Sequence, residues 1–340
     1  FMDKYAQQDA YLVIIFSYLL AVPFVLCYAV LAKRFPDKNL IEILEAVYGP
    51  IIGKVIALFY IGQFFYLLSL NILDLGDFYA GYIMPNTPEL VFLIAFALLC
   101  AYVIYRGLES IARLAPYSMF LTFFIMIVTI ILLLGSMDLN NFLPVLQIEP
   151  QKLVHSMHIF VAIPFGEVVV FMMVFSEVND TKKLSKYVMI SFSVAALALF
   201  IISARNTAML GAYAGMVNNA TFEAARVINV GEVLTRIEVL IAMGTTFALL
   251  IKVSILYYST TKGIAQLFRL HSLRSIIIPV GVIAVVMALS MFDSITQHRM
   301  DGANYQPFFL IPFEFIFPPL TLLIAKLRKL PNTAKSVAKK

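Results

Sequence analysis

Glu167 and Lys252 are charged residues inside long apolar stretches, where an ionisable side chain is costly and commonly functional. Glu167 closely follows Pro164 and Gly166. Proline lacks a backbone N–H and glycine tolerates angles that other residues avoid, so this spacing predicts a helix break with free amides and carbonyls beside a carboxylate. Broken helices with an ionisable group near the membrane centre form substrate and ion sites. The alternative is a proline kink, with Glu167 facing a neighbouring helix.

Lys252 is the second charge within an apolar stretch. It precedes Lys262 by ten residues, which is about 15 Å of helix, and this places its ammonium near the middle of the stretch. The ammonium could pair with Glu167, or occupy a cation site in place of an ion. We therefore predict a role for Lys252 and Glu167 in ion or proton coupling. Simple neutralisation of a buried acid is the alternative.

Other polar residues are candidates for contact with a ligand. Asn71, Asp74 and Asp77 are spaced by three residues and share one helix face. We expect Asn71 to lie deepest and to contact a ligand or a neighbouring helix, and Asp77 to be solvated near the end of its span. Glu314 follows Pro312 in the last apolar stretch and is a buried acid of functional or structural role.

Motifs for metal binding or covalent chemistry are incomplete in this sequence. His155 and His158 are spaced by three residues, but no carboxylate or cysteine pattern completes a metal site. Cys27 and Cys100 lie in apolar runs. The sequence has no phosphate-binding glycine loop, zinc-protease motif or nucleophile elbow. We predict no metal, no cofactor and no enzymatic activity.

The elements that position these residues are membrane helices. The chain has 340 residues, 61% hydrophobic and 13% charged, with a mean hydropathy of +0.91. Soluble domains carry about 25% charged residues, so the composition excludes a soluble protein. The net charge of +5 comes from basic residues between apolar runs, so we expect a lipid bilayer and no nucleic acid as partner. Nine stretches of membrane-spanning length predict an all-α polytopic membrane protein: 10–32, 53–80, 89–105, 114–135, 155–178, 187–211, 236–261, 275–293 and 307–326.

Lysine and arginine residues predict the orientation of these spans. Of the 25, 18 fall on one set of alternating connections and six on the other, which places the C-terminus and its basic tail, 327–340, in the cytoplasm. The outer segment 212–235 has the composition of a short amphipathic helix. Nine spans would leave the N-terminus outside without an export signal, and the chain begins with Phe1. We therefore expect a tenth helix, missing here, before the first visible span.

Several segments resemble one known family over nearly the whole chain. They are Gln8–Tyr11, Lys33–Pro36, Leu40–Leu44, Gly49–Lys54, Asn140–Val145, Pro164–Glu167 and Phe247–Ser254. They are similar to the spore germination protein family, and specifically to the B subunit of the GerA-type nutrient germinant receptors. This family is a branch of the amino acid–polyamine–organocation transporter superfamily.

The resemblance implies a ten-helix fold with a five-plus-five inverted repeat, LeuT-like, in which helices one and six unwind at the centre. One integral membrane domain would then hold helices two to five of repeat one, about 10–135, and repeat two, about 155–326. The fifth visible span would be helix six. The first helix, absent here, would carry the other half of the binding site.

The resemblance also implies a function. The B subunit binds a germinant, commonly an amino acid, in a midplane pocket, and works with A and C subunits in the spore inner membrane to trigger germination. Free amides at the break would suit a carboxylate, and Glu167 or Asn71 an ammonium. The implied ligand-binding residues are Ala162, Pro164, Phe165, Gly166, Glu167, Asn71, Asp74, Thr246 and Leu250.

Two other functions remain open from the sequence. The first is a permease that moves an amino acid coupled to protons or sodium. Lys252 favours proton coupling or ion independence in that case, because a lysine can replace a bound sodium. The second is a membrane scaffold with a vestigial pocket. The fold is shared by all three functions and does not choose among them.

Overall fold

The computed structural model describes residues 3–217, 219–226 and 238–331, without the side chains of residues 3, 4 and 238. Every regular element in these ranges is helical. The first half holds α1 (Asp3–Ala6), α2 (Ala10–Arg34), α3 (Leu40–Tyr48), α4 (Ile52–Phe78), α5 (Glu89–Tyr105) and α6 (Leu108–Leu133). The second half holds α7 (Pro150–Phe160), α8 (Leu184–Leu210), α9 (Ala220–Arg226), α10 (Glu238–Leu267), α11 (Arg274–Ser290), α12 (Ile295–Asn304), α13 (Gln306–Ile311) and α14 (Phe317–Leu327).

Seven helical segments of the described chain are long and apolar enough to cross a membrane. They are Gln7–Arg34, Ile52–Ile83, Leu108–Ser136, Pro150–Met173, Thr181–Gly215, Val239–Leu267 and Gln306–Leu327. Together they confirm the predicted all-α membrane architecture, and the chain is an integral membrane protein. Two of the nine predicted spans differ. The α5 helix is apolar but has only 17 residues, and α11 meets the length criterion only together with α12.

The chain bends by 98° between α11 and α12, where the sequence predicted one span followed by a loop. The apolar helix α11 ends at Ser290, and Ser294 begins the new one, because its hydroxyl accepts a hydrogen bond from the Gln297 amide at 3.2 Å. The Gln297 side chain in turn accepts from the Asp293 amide at 2.9 Å. This reciprocal cap starts a polar helix that folds back over the end of α4.

The membrane segment after α7 is interrupted, as the sequence predicted. A π-turn, Val161–Phe165, joins α7 to a 3₁₀ segment, Gly166–Met173. The break in the backbone is at Ile163, whose φ of −121° and ψ of 107° are not helical. Gly166 has ordinary helical angles, so the expected reason for this glycine, unusual backbone angles, is wrong. Its actual role is spatial, as described below.

Helix packing brings two interrupted segments together. The α2 helix packs along α8, and α10 lies against α4 and α6. A second π-turn, Pro312–Ile316, joins α13 to α14 and contacts the Gly166–Met173 segment. The contact places the two breaks side by side inside the helix bundle. Large apolar side chains on the outside, such as Leu19 and Phe120, are exposed, as expected of a surface that faces lipid.

Two of the predicted segments, 212–235 and the basic tail 327–340, lie partly outside the described residues. Of the segment 212–235, the described part contains α9, whose Phe222 ring packs on Phe78 at the end of α4. Its remainder from residue 227 onward lies outside the described residues. The same holds for residues 332–340 of the basic tail, whose orientation remains a prediction.

Candidate functional site

A cavity of about 280 Å³ lies beside the break, between α4, α10 and α12. Its walls carry polar and charged side chains from elements distant in sequence, and its size suits a small molecule. The lining residues are Leu70, Asn71, Asp74, Phe78, Ile163, Pro164, Glu167, Asn219, Thr245, Leu249, Lys252, His298, Arg299, Gly302 and Gln306.

The pairing of Glu167 with Lys252, one of the two arrangements that the sequence left open for this lysine, is present in this wall. The Lys252 Nζ lies 2.6 Å from the Glu167 Oε2, so the break and α10 are joined by an ion pair. The Glu167 side chain is 7% exposed, while that of Lys252 is 37% exposed. A ligand in the cavity can therefore reach the ammonium without displacing the surrounding helices.

A second group of charges lies where α12 folds over α4. The His298 Nδ1 is 2.7 Å from the Asp77 Oδ2, and its Nε2 is 3.8 Å from the Asp74 Oδ1. The ring of His298 also stacks on Phe292. Asp77 is only 6% exposed, so the expectation that it is solvated is wrong. The bend before α12 explains the difference, because it brings a histidine onto a carboxylate that sequence alone placed in water.

His298 also separates two cavities. A neighbouring cavity of about 220 Å³ is lined by Asp77, Glu89, Asp293 and His298, among others. Because His298 lines both cavities, its ring forms part of the wall between them. The hydrogen bond between His298 and Asp77 holds this ring in place.

Four of the nine residues predicted to bind a ligand line the cavity: Asn71, Asp74, Pro164 and Glu167. Lys252, which was predicted to act in ion or proton coupling, lines it as well. The amide of Asn71 donates to the Leu67 carbonyl of its own helix at 2.7 Å, rather than to another helix. Its Oδ1 has no hydrogen-bond partner in the described part of the chain. This oxygen is thus a buried acceptor on a residue that lines the cavity.

The other predicted residues lie close to the cavity without lining it. Ala162 and Phe165 are buried, and the Phe165 ring packs on Phe192 of α8, away from the cavity. On α10, Thr246 shares a hydrogen bond of 2.8 Å with Tyr79, and Leu250 is buried. The adjacent residues Thr245 and Leu249 line the cavity in their place.

Gly166 does not line the cavity either, and it is the point of closest approach to Glu314. A Cβ atom at Gly166 would overlap the Glu314 carboxyl. Glu314 is fully buried, and neither of its carboxyl oxygens has a hydrogen-bond partner among the described residues. Glycine is therefore required at position 166 by the space that the acid occupies.

The two histidines at the start of the broken segment pack on aromatic rings. His155 lies edge-on to Tyr5 at 4.7 Å, and His158 to Phe308 at 4.5 Å between ring centroids. Residues 3–217, 219–226 and 238–331 contain no cluster of three or more His, Cys, Asp or Glu that could hold a metal ion. Both histidines therefore act as packing residues in this structure.

Sequence reasoning missed the contribution of α12 to the site. His298 and Arg299 lie between the predicted spans 275–293 and 307–326 and were not among the predicted site residues. A signal was present in Ser294 followed three residues later by Gln297, which is the pattern of a capping box. That pattern predicts a helix from Ile295, although not the direction in which it folds.

The fold and the cavity define a polytopic helical membrane protein with a charged site beside a broken helix. A sequence model of the spore germination protein family, the spore permeases, matches residues 2–296, so the chain belongs to this family. The family resemblance seen in the sequence is thereby confirmed.

Curated relatives agree with this assignment. Spore germination protein KB of Bacillus subtilis (strain 168) is 24% identical over 330 residues, which are 95% of this chain and 88% of the relative. The putative spore germination protein YfkT of the same strain is 24% identical over 97% of this chain and 90% of the relative. Spore germination protein XB of Bacillus anthracis is 21% identical over 75% of this chain and 71% of the relative.

Proposed function

We propose that this chain is the nutrient-binding membrane subunit of a spore germinant receptor, and that it binds an amino acid in the cavity beside the break. The observation that carries the proposal is the Glu167–Lys252 ion pair, which faces a cavity large enough for a small nutrient. Asp74 lines the same cavity. Charges of both signs in one small cavity suit a zwitterion, which brings a carboxylate and an ammonium together.

The proposed binding mode follows from these charges. The ligand carboxylate pairs with the Lys252 ammonium and accepts hydrogen bonds from the amides at the break, because a helix N-terminus and a lysine both favour an anion. The ligand ammonium pairs with the Asp74 carboxylate and donates a hydrogen bond to the Asn71 Oδ1, which has no other hydrogen-bond partner among the described residues. Binding thus draws Lys252 from Glu167, and the change in this pair shifts a conformational equilibrium that partner subunits detect.

The relatives are named as germination proteins, which supports a role in germination. We place the chain in the spore inner membrane with a cytoplasmic C-terminus, in complex with A and C receptor subunits. Its described helices belong, in this proposal, to the five-plus-five inverted repeat of the amino acid–polyamine–organocation transporters, as one membrane domain without enzymatic activity. The interruption after α7 supports this assignment, because that fold requires a break in helix six.

The test is germination of spores that lack the gene, with amino acids, nucleosides and sugars supplied singly. We expect one nutrient alone to lose its effect, while its uptake by vegetative cells is unchanged. Complementation with Lys252→Met should leave the response impaired. The matched control is Lys183→Met, because Lys183 forms an exposed pair with Asp180. A normal response from Lys252→Met spores, at normal protein levels, would show that the cavity does not bind the nutrient.

A permease is the second candidate, and the buried ion pair favours it as well. A lysine paired with a carboxylate at a helix break can couple substrate movement to a proton. The same experiment separates the two functions. Normal germination with reduced uptake of one compound would establish transport and exclude the receptor.

A further inference from the structure

Glu314 is a buried acid that the proposed nutrient site does not use. It lies in the π-turn Pro312–Ile316, is 0% exposed, and is absent from the residues that line the cavity. Both carboxyl oxygens lack a hydrogen-bond partner within the described ranges. A buried ionised carboxylate without a partner is highly unfavourable. The local structure therefore has to supply either a cation or a proton.

The nearest hydroxyl groups are already engaged. The Tyr28 hydroxyl donates to the backbone carbonyl of Glu314 at 2.5 Å. The Tyr60 hydroxyl donates to the carbonyl of Phe313 at 2.6 Å. Each phenol has a single proton to donate, so neither can also donate to the Glu314 carboxyl. These two tyrosines therefore satisfy backbone carbonyls of the π-turn and not the Glu314 carboxyl.

The charges that act on Glu314 belong to the ion pair at the break. Glu167 repels a negative charge on Glu314, and Lys252 attracts it. The two are paired with each other at 2.6 Å, so their effects at Glu314 largely oppose one another. Among the described residues, the phenols of Tyr28 and Tyr60 also interact electrostatically with Glu314. Gly166 allows the acid to approach the break closely.

We propose that Glu314 is a proton-binding site, which holds a proton while Lys252 is paired with Glu167. A protonated Glu314 is neutral, so this buried carboxyl needs no cation while the Lys252 ammonium is held by Glu167.

Infrared spectroscopy of the purified full-length protein without nutrient tests the site directly. In protein labelled with ¹³C-glutamate, we expect a carbonyl stretch of a protonated carboxyl at neutral pH that shifts with the label and disappears in Glu314→Gln. The control is Glu109→Gln, because Glu109 pairs with Arg113 on the exposed surface. An unchanged band in folded Glu314→Gln would show that Glu314 is ionised and would overturn the proposal.

Two further variants keep the test decisive if Glu314→Gln does not fold. Glu89 and Glu167 are the other partly or fully buried glutamates near the cavities. The triple variant Glu89→Gln/Glu167→Gln/Lys252→Met, which also removes the ammonium that Glu167→Gln would leave unpaired, should retain the label-sensitive band, and its loss would overturn the proposal. Lys252→Met should roughly double the band, because Glu167 then lacks its cation and takes up a proton. These measurements need no nutrient, so their failure is distinct from failure of the receptor assignment.

Discussion

The Lys252 ammonium lies 2.6 Å from the Glu167 carboxylate and joins α10 to the broken segment after α7. The Glu167 side chain is buried, whereas that of Lys252 is partly open to the cavity. This asymmetry makes the lysine the partner that can respond to a ligand, because its charge can be solvated when the pair opens. The carboxylate cannot leave its buried position without a helix movement.

The first prediction concerns the contribution of this pair to stability. Lys252→Met leaves a buried carboxylate without its cation, and we expect a loss of about 1–3 kcal/mol in unfolding free energy, less than for a fully buried pair because Lys252 is partly exposed. Thermal unfolding of the purified protein in detergent measures it. The double variant Lys252→Met/Glu167→Gln should recover most of the loss. Additive losses in the double variant would contradict a direct interaction.

The second prediction concerns the glycine at the break. Gly166→Ala inserts a Cβ where the Glu314 carboxyl and the Phe315 ring lie, and we expect a loss of about 1–3 kcal/mol of stability. Gly166→Val should also abolish the nutrient response. Gly62→Ala in α4 is the matched control, because its added Cβ meets no atom within 4 Å. It should be neutral or stabilising by up to about 1 kcal/mol. Equal effects of the two alanines would refute the spatial role of Gly166.

The third prediction concerns the histidine that separates the two cavities. His298→Ala leaves Asp77 buried without its partner, so we expect stability to fall by about 1–3 kcal/mol. The double variant His298→Ala/Asp77→Asn should recover part of the lost stability, because an amide costs less free energy to bury than a carboxylate. The control is His271→Ala, at an exposed position between α10 and α11. A melting temperature for His298→Ala equal to that of the control would rule out a structural contact between His298 and Asp77.

The fourth prediction separates two adjacent threonines of α10. Thr245 lines the cavity, so Thr245→Val should raise the nutrient concentration for half-maximal germination by about two- to tenfold through loss of one hydrogen bond. Thr246 instead bonds Tyr79, so Thr246→Val should lower stability by about 1 kcal/mol and leave the nutrient concentration unchanged. Dose–response curves of complemented spores and thermal unfolding measure the two effects. The reverse assignment would show that Thr246 faces the ligand.

The class of protein and the location of its break could be predicted from the sequence alone. In lipid, an apolar stretch of about 20 residues must form a helix, because the helix satisfies all its backbone hydrogen bonds within the segment. Pro164, close to Glu167, marks the interruption of its helix however the helices pack. The sequence also indicates that Lys252 can pair with Glu167, because two charges near the centre of a bilayer have few other partners.

Which face of each helix meets the cavity depends on how the helices pack and could not be predicted from the sequence. Lipid and protein interior are both apolar, so a membrane helix that is apolar all round carries little information about its rotation. For this reason Thr246 was predicted at the position that Thr245 takes in the structure. Asp77 was placed in water for the same lack of information, since its partner His298 reaches it only through the bend before α12. The contact of Gly166 with Glu314 likewise depends on two breaks meeting across the bundle, and no spacing within one helix encodes that meeting.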